Sequence, residues 1–467
     1  MTDLPAGWAW ADLAEVADIQ GGIQKQAKRR PVLNKYPFLR VANVHRGKLD
    51  LADVHEVELF DGELERFELR RGDLLVVEGN GSPDQIGRAA TWDGSIDNCV
   101  HQNHLIRVRP TVVLLHDFLE LVWNSPLVAR HLREVAGSTS GLYTLSTGKL
   151  KSVRLPLPPL AEQRRIVAAL DGHLSRLEVA AALARTASRR LRQLKKRVLI
   201  ESVPMQGRDG WLSCSVGEAG SVDLGRQRHP DWHRGPNMRP YLRVANVFED
   251  RIDTTDVMEM DFPPPVFEKF QLRDGDILLN EGQSPELLGR PAMYRGTPAE
   301  VAFTNSLLRF RVGEGIDPEW ALLVFRRHMH AGRFSQEVRI TTNIAHLSAG
   351  RFKAIEFPVP PLVEQRSMVD QAKVALAGVD RLAAAVDQAE RHASALRASL
   401  LLEAFSGRLV PQDPTDEPAF ELLARIRAGR VAAPPKQSRR SRRSQKELAA
   451  PPTRVIGDVY EQGALPL

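Results

Sequence analysis

The chain holds 467 residues, 43% hydrophobic and 26% charged, which describes an ordinary globular protein of roughly three domains. No apolar run approaches the roughly 18 residues of a membrane span, residues 1–10 carry no signal pattern, and two distant cysteines, Cys99 and Cys214, exclude a disulfide framework; a cytoplasmic protein is expected. The net charge of +6 is concentrated in residues 425–446, where nine Lys and Arg stand with no acid, leaving −3 on the remainder, so any nucleic-acid surface must come from local clustering.

Trp8 opens a first unit, and Trp211 opens a second in a similar setting 203 residues later. YPFLRVANV at 36–44 returns as RPYLRVANV at 239–247, and FELRRGDLLVVEG at 67–79 as FQLRDGDILLNEG at 270–282. NHLIRVR at 103–109 returns as NSLLRFR at 305–311, now 202 residues on. A register held within one residue over such a length is duplication. FLRVANV, DLLVVEG and HLIRVR cluster apolar and β-branched residues between breakers, so each head is expected to be a strand-rich α+β unit with a mostly antiparallel sheet. Residues 116–136 and 317–333 are expected to be helical.

LPLPPLAEQRRI at 155–166 returns as FPVPPLVEQRSM at 357–368, and proline suits an extended exit or a first helical turn, so helices should begin near Leu160 and Leu362. A three-four spacing then runs through Ile166, Leu170, Leu174, Leu177, Ala181, Ala184, Leu191, Leu194 and Val198. It recurs through Met368, Ala372, Leu376, Val379, Leu382, Val386, Ala393, Leu396 and Leu400. That pattern predicts two paired coiled-coil helices of about 40 residues, each about 60 Å long. One short helix is expected at ELLARIRAG (421–429), and a basic, disordered tail after 431.

The order head, PPLxEQR junction, head, PPLxEQR junction, then FSGRLVPQDPTDEPA at 405–419, resembles the specificity subunit of type I restriction-modification systems. The resemblance spans essentially residues 1–430. It implies two target-recognition domains, 1–155 and 206–357, separated by two antiparallel coiled-coil helices, 156–205 and 358–410, with a pseudo-two-fold arrangement and a C-terminal extension, 411–467. It further implies a bipartite duplex DNA target, one half read by each head. The helices would set the spacer and dock two methyltransferase subunits, with Glu162, Gln163, Arg164, Glu364, Gln365 and Arg366 as candidate docking residues. Motor-nuclease subunits would complete the complex, and S-adenosylmethionine, ATP and Mg are expected on the partners, none in this chain.

Direct readout needs Arg or Lys for guanine and Asn or Gln for adenine, with Ser or Thr as adaptable donors. After the Gly21-Gly22 turn stand Lys25, Lys28, Arg29 and Arg30; after Gly225 stand Arg226, Gln227, Arg228 and His229. A solvated charged loop is the plain alternative, but recurrence at one point of both heads favours DNA contact. A second candidate pair is Asn80, Ser82, Gln85 and Arg88 with Gln283, Ser284 and Arg290. A third is Ser138, Thr139, Ser140 and Tyr143 with Thr341, Thr342 and Asn343. Replacing Arg226 and Arg228 together is expected to spoil one half-site without unfolding the head.

Catalytic patterns are missing: there is no Asn-Pro-Pro-aromatic signature, no G-x-G-x-x-G after a strand and no HExxH. STGKL at 146–150 lacks the spacing and the Ser or Thr of a phosphate loop. The expectation is a non-catalytic recognition subunit with no metal; the alternative is a coiled-coil scaffold whose heads bind proteins.

Overall fold

The computed structural model describes residues 4–80, 82, 85–139, 142–205, 210–336 and 345–432. The described residues form two compact units: one contains those up to 124, 128–164 and 412–432, the other 125–127 and those of 165–411. Each contains one head, and the heads share one plan.

In the first head a four-stranded antiparallel sheet runs in the order Ala17–Gly21, Leu105–Pro110, Leu74–Val77, Ala89–Thr91. A smaller sheet sets Lys35–Leu39 between Val100–His101, parallel, and His55–Glu58, antiparallel. In the second head the same orders appear as Gly220–Leu224, Leu307–Val312, Ile277–Asn280, Pro291–Met293. Met238–Leu242 there lies between Ala302–Phe303 and Met258–Asp261. The central strands LLVV and ILLN are wholly buried, as continuous apolar runs require.

The repeated words are held by repeated bonds. Asn43 accepts from the Arg40 amide (2.8 Å) and donates to the carbonyls of Asp50 and Asp53; Asn246 does the same with Arg243, Asp253 and Asp256. Arg109 grips Asp73 through two bonds of 2.6 and 2.7 Å, and Arg311 grips Asp276 through two of 2.7 Å. Arg107 pairs with Asp18 and Arg309 with Asp223. Both acids of the Gly-Asp turns are buried, so these pairs lock the turn to the central strand.

Each head is closed by its own ends. Ala9–Asp12 pairs antiparallel with Arg154–Leu157, and Leu212–Ser215 with Glu356–Val359. The Pro-rich exit strand therefore ends against the opening strand, and the chain turns directly into helices Leu160–Glu201 and Leu362–Phe405. The expected helix at 116–136 is broken into His116–Trp123 and Pro126–Val135, because proline has no amide hydrogen and disfavours a helical residue before it. Its counterpart Pro318–His330 is continuous, with Asp317 capping Glu319. The C-terminal helix, Ala419–Ala432, sits on the first head, where Ala419 donates to the Gly7 carbonyl and Arg427 pairs with Glu15.

In the second unit the two long helices run antiparallel. Lys195 reaches Asp380 (2.8 Å) and Arg397 reaches Glu178 (3.4 Å), so position rises along one helix as it falls along the other. Leu199 of one and Val203 just beyond its end, with Val369, Ala372 and Leu376 of the other, enter the core of the second head beside Trp320, Leu323 and Phe325. The seam differs from the expected one at three leucines. Leu194, Leu382 and Leu396 face solvent, while the small side chains Ala181, Ala184, Ala383 and Ala393 lie half-buried.

Candidate nucleic-acid interface

The head-to-helix joints define the frame on which any recognition loop is carried. Gln163 is wholly buried: its Nε2 donates to the carbonyls of Val113 (2.9 Å) and Pro158 (3.1 Å), and its Oε1 accepts from the Leu115 amide (2.9 Å). Gln365 repeats this with Gly315 (3.0 Å), Pro360 (2.8 Å) and the Asp317 amide (2.8 Å). Trp8 donates its indole N–H to Glu162 (2.9 Å), and Trp211 donates to Glu364 (3.0 Å). The EQR words were expected to dock partners; instead Glu162, Gln163 and Gln365 are buried structural pins that no partner can reach. Arg366 pairs with Asp317 (3.3 Å), and Arg164 is exposed.

The basic loops divide sharply. In the first head Lys25, Lys28 and Arg30 face solvent. Arg29 forms two 2.7 Å bonds with Glu63 and stacks on Phe60, 4.8 Å from its centroid. That guanidinium holds the Glu63 carboxyl down to about 2. In the second head Arg226 is buried between Trp232 (3.9 Å) and Phe262 (4.8 Å) and donates to the Asp261 carbonyl. Gln227, Arg228 and His229 are exposed, with His229 accepting from the Asp231 amide. The expected double replacement of Arg226 and Arg228 is therefore not neutral to folding: Arg226 is an internal strut.

Arg88 donates to the carbonyls of Val44 (2.8 Å) and Val41 (3.1 Å), and Arg290 stacks on Phe248 (4.8 Å); burial holds both guanidinium pKa values below the usual arginine value. Their charges are directed inward. Gln85 is exposed, and Ser82, Gln283 and Ser284 are half-buried. The backbone of Asn80 pairs with Tyr143, and Ser138 and Thr139 lie on a strand of the same small sheet. Ser140, Thr341, Thr342 and Asn343 lie outside the described residues.

Sequence reasoning overlooked the acids that shape the loops. Glu58 accepts three backbone amides, from Val32 (2.7 Å), Leu33 (3.1 Å) and Asn34 (2.8 Å), and these bonds lower its pKa. Asp261, 203 residues on, accepts from the Asn237 amide (2.7 Å). The only advance signal was an acid at the same repeat position, closing a strand in each head.

Two heads of one topology, each pinned to a long helix and each carrying a cationic loop at the same point, define a two-headed recognition protein. Residues 5–183 match the family described as Type I restriction modification DNA specificity domain. The chain is 29% identical over 461 residues to the type I restriction enzyme EcoKI specificity subunit of Escherichia coli (strain K12), covering 94% of this chain and 99% of that one. It is 22% identical over 462 residues to the StySPI specificity subunit of Salmonella potsdam, with the same coverage. A structure solved in work on assembly and conformational transition of the type I R-M system shares the fold, with a TM-score of 0.70 at 19% identity, covering 87% of this chain and all of that one. Along 94% of its length the chain is similar to specificity subunits of type I restriction enzymes, which supports a role in DNA sequence specificity. Among the described residues no helix is long and apolar enough to cross a membrane.

Proposed function

We propose that each head reads one half of a bipartite duplex site, and that the paired helices fix the number of unread base pairs between the halves. The observation that carries this is the pairing of like frames with unlike loops. Both heads repeat the same sheets, Asn staples and Gln joints, while the exposed residues on the equivalent loops differ: Lys25, Lys28 and Arg30 in one, Gln227, Arg228 and His229 in the other. Two unlike words of sequence follow from two unlike loops on one frame.

In this reading the long helices also dock two methyltransferase subunits, supported by a set of exposed apolar residues: Val179, Leu183 and Leu194 on one helix, Leu382 and Leu396 on the other. Adenine methylation, or cleavage with motor-nuclease subunits, is done by those partners, which hold S-adenosylmethionine, ATP and Mg. The test is to sequence methylated adenines in a host carrying this chain and its methyltransferase. A two-part motif with a fixed gap is expected; a single contiguous motif, or none, contradicts the reading.

A further inference from the structure

The loop 31–34 of the first head presents Val32 and Leu33 to solvent, 65% and 85% exposed. Single exposed apolar residues are common and need no explanation. These two are different because the backbone that carries them is fixed. Glu58, itself buried, takes the amides of Val32, Leu33 and Asn34, and the Asn34 carbonyl accepts from Leu59 (3.1 Å), so the loop is bonded along its inner edge and both side chains project outward. Three amides converging on one carboxylate make a rigid mount.

The surroundings select the occupant. Between Asp18 and Asp50 the chain has no acid and eight Lys and Arg. Lys28, Arg30 and Lys35 flank the loop and are exposed; of the acids packed against it, Glu58 is occupied by amides and Glu63 by Arg29. An apolar tip ringed by exposed cations suits a polyanion with apolar edges to touch, which is duplex DNA. Phosphates meet the cations, and thymine methyl groups or an unstacked base step meet the apolar tip.

The second head supplies an internal comparison. Asp261 sits where Glu58 does and holds Asn237, the counterpart of Asn34. Yet the positions of Val32 and Leu33 are taken by Gly235 and Pro236. Gly235 lies so close to the latch that an added Cβ would stand 2.3 Å from the Asp261 carboxyl carbon. One latch thus carries two unlike tips.

Building on the half-site reading, we propose that Val32 and Leu33, on the loop that Glu58 holds, are specificity-determining residues contacting bases of the first half-site. The test is the full-length V32S/L33S chain, assembled with its methyltransferase, with methylated sites sequenced beside wild type and V112S, a control at an equally exposed valine (89%) of the same head. The expected result is loss of discrimination at one or two base pairs of one word, with methylation of the original sites down about tenfold. The other word and the spacer stay the same, and V112S matches wild type. A double variant with unchanged motif and rate overturns the loop assignment alone. A wild-type assembly without any two-part motif overturns the half-site reading, and this inference with it.

Discussion

Gln365 offers the sharpest test of how a head is fixed to its helix. The side chain is wholly buried and makes three hydrogen bonds, to the Gly315 and Pro360 carbonyls and from the Asp317 amide. In Gln365→Leu the volume is kept and all three are lost, leaving the Pro360 carbonyl buried and unpaired, while the Asp317 amide and the Gly315 carbonyl are open enough to meet water. At about 1–3 kcal/mol for a buried unsatisfied group and less for the two partly solvated ones, the loss should be about 2–4 kcal/mol. Gln365→Glu should be at least as damaging near neutral pH, because a carboxylate oxygen would replace the amide that faces two carbonyls. Its defect should ease as pH falls and the carboxyl becomes a donor. Urea unfolding of both variants measures the cost, and hydrogen exchange at residues 362–370 should show the helix start loosened. A Gln365→Leu chain within 0.5 kcal/mol of wild type, the range of an ordinary surface change, would refute the reasoning.

Other outcomes follow from the same structure. Arg226→Ala should lower stability by about 1–3 kcal/mol through lost stacking on Trp232 and Phe262 and an orphaned carbonyl, whereas Arg228→Ala should leave the melting temperature unchanged and weaken methylation at one half-site. The Glu63 carboxyl is depressed to about 2 from an ordinary 4.5, so its pair with Arg29 stabilises the fold fully above about pH 4.5 and fades as pH falls toward 2. Glu63→Gln should therefore cost about 1–3 kcal/mol at pH 6, by urea unfolding, and much less near pH 3. Removing residues 433–467 takes away the six cations of 436–446 and should lower non-specific DNA affinity and flatten its dependence on salt, measured by titration at several salt concentrations.

The duplication and the long helices were legible because they are written locally: repeated words, and proline followed by a three-four apolar spacing. What the words do was less legible. RVANV and RVR repeat because Asn43, Arg107 and Arg109 staple each head internally, as their counterparts do in the other. An exposed arginine and a buried one look alike in a sequence when the partner lies far along the chain. Arg29 meets Glu63 across 34 residues and Arg88 meets Val44 across 44, so both appeared to be DNA ligands although their charges are engaged within the head. In the EQR words, spacing alone did not show that Glu162, Gln163 and Gln365 are buried in the head-to-helix joints while Arg164, Glu364 and Arg366 stay exposed. Leu382 and Leu396 were assigned to the seam by spacing, which gives the period of a helix face but not which of its positions meets a neighbour; both are exposed.

The central claim is that the paired helices set the distance between two half-sites, and it can be tested by lengthening them. Seven residues inserted at facing levels, after Ala187 in one helix and after Gln388 in the other, add about 10 Å at 1.5 Å per residue while nearly preserving the helical phase. At about 3.4 Å per base pair this corresponds to about three base pairs. Sequencing the adenines methylated by the lengthened assembly should return the same two words separated by about three more unread positions. The same words at the original spacing, or new words, would contradict the account.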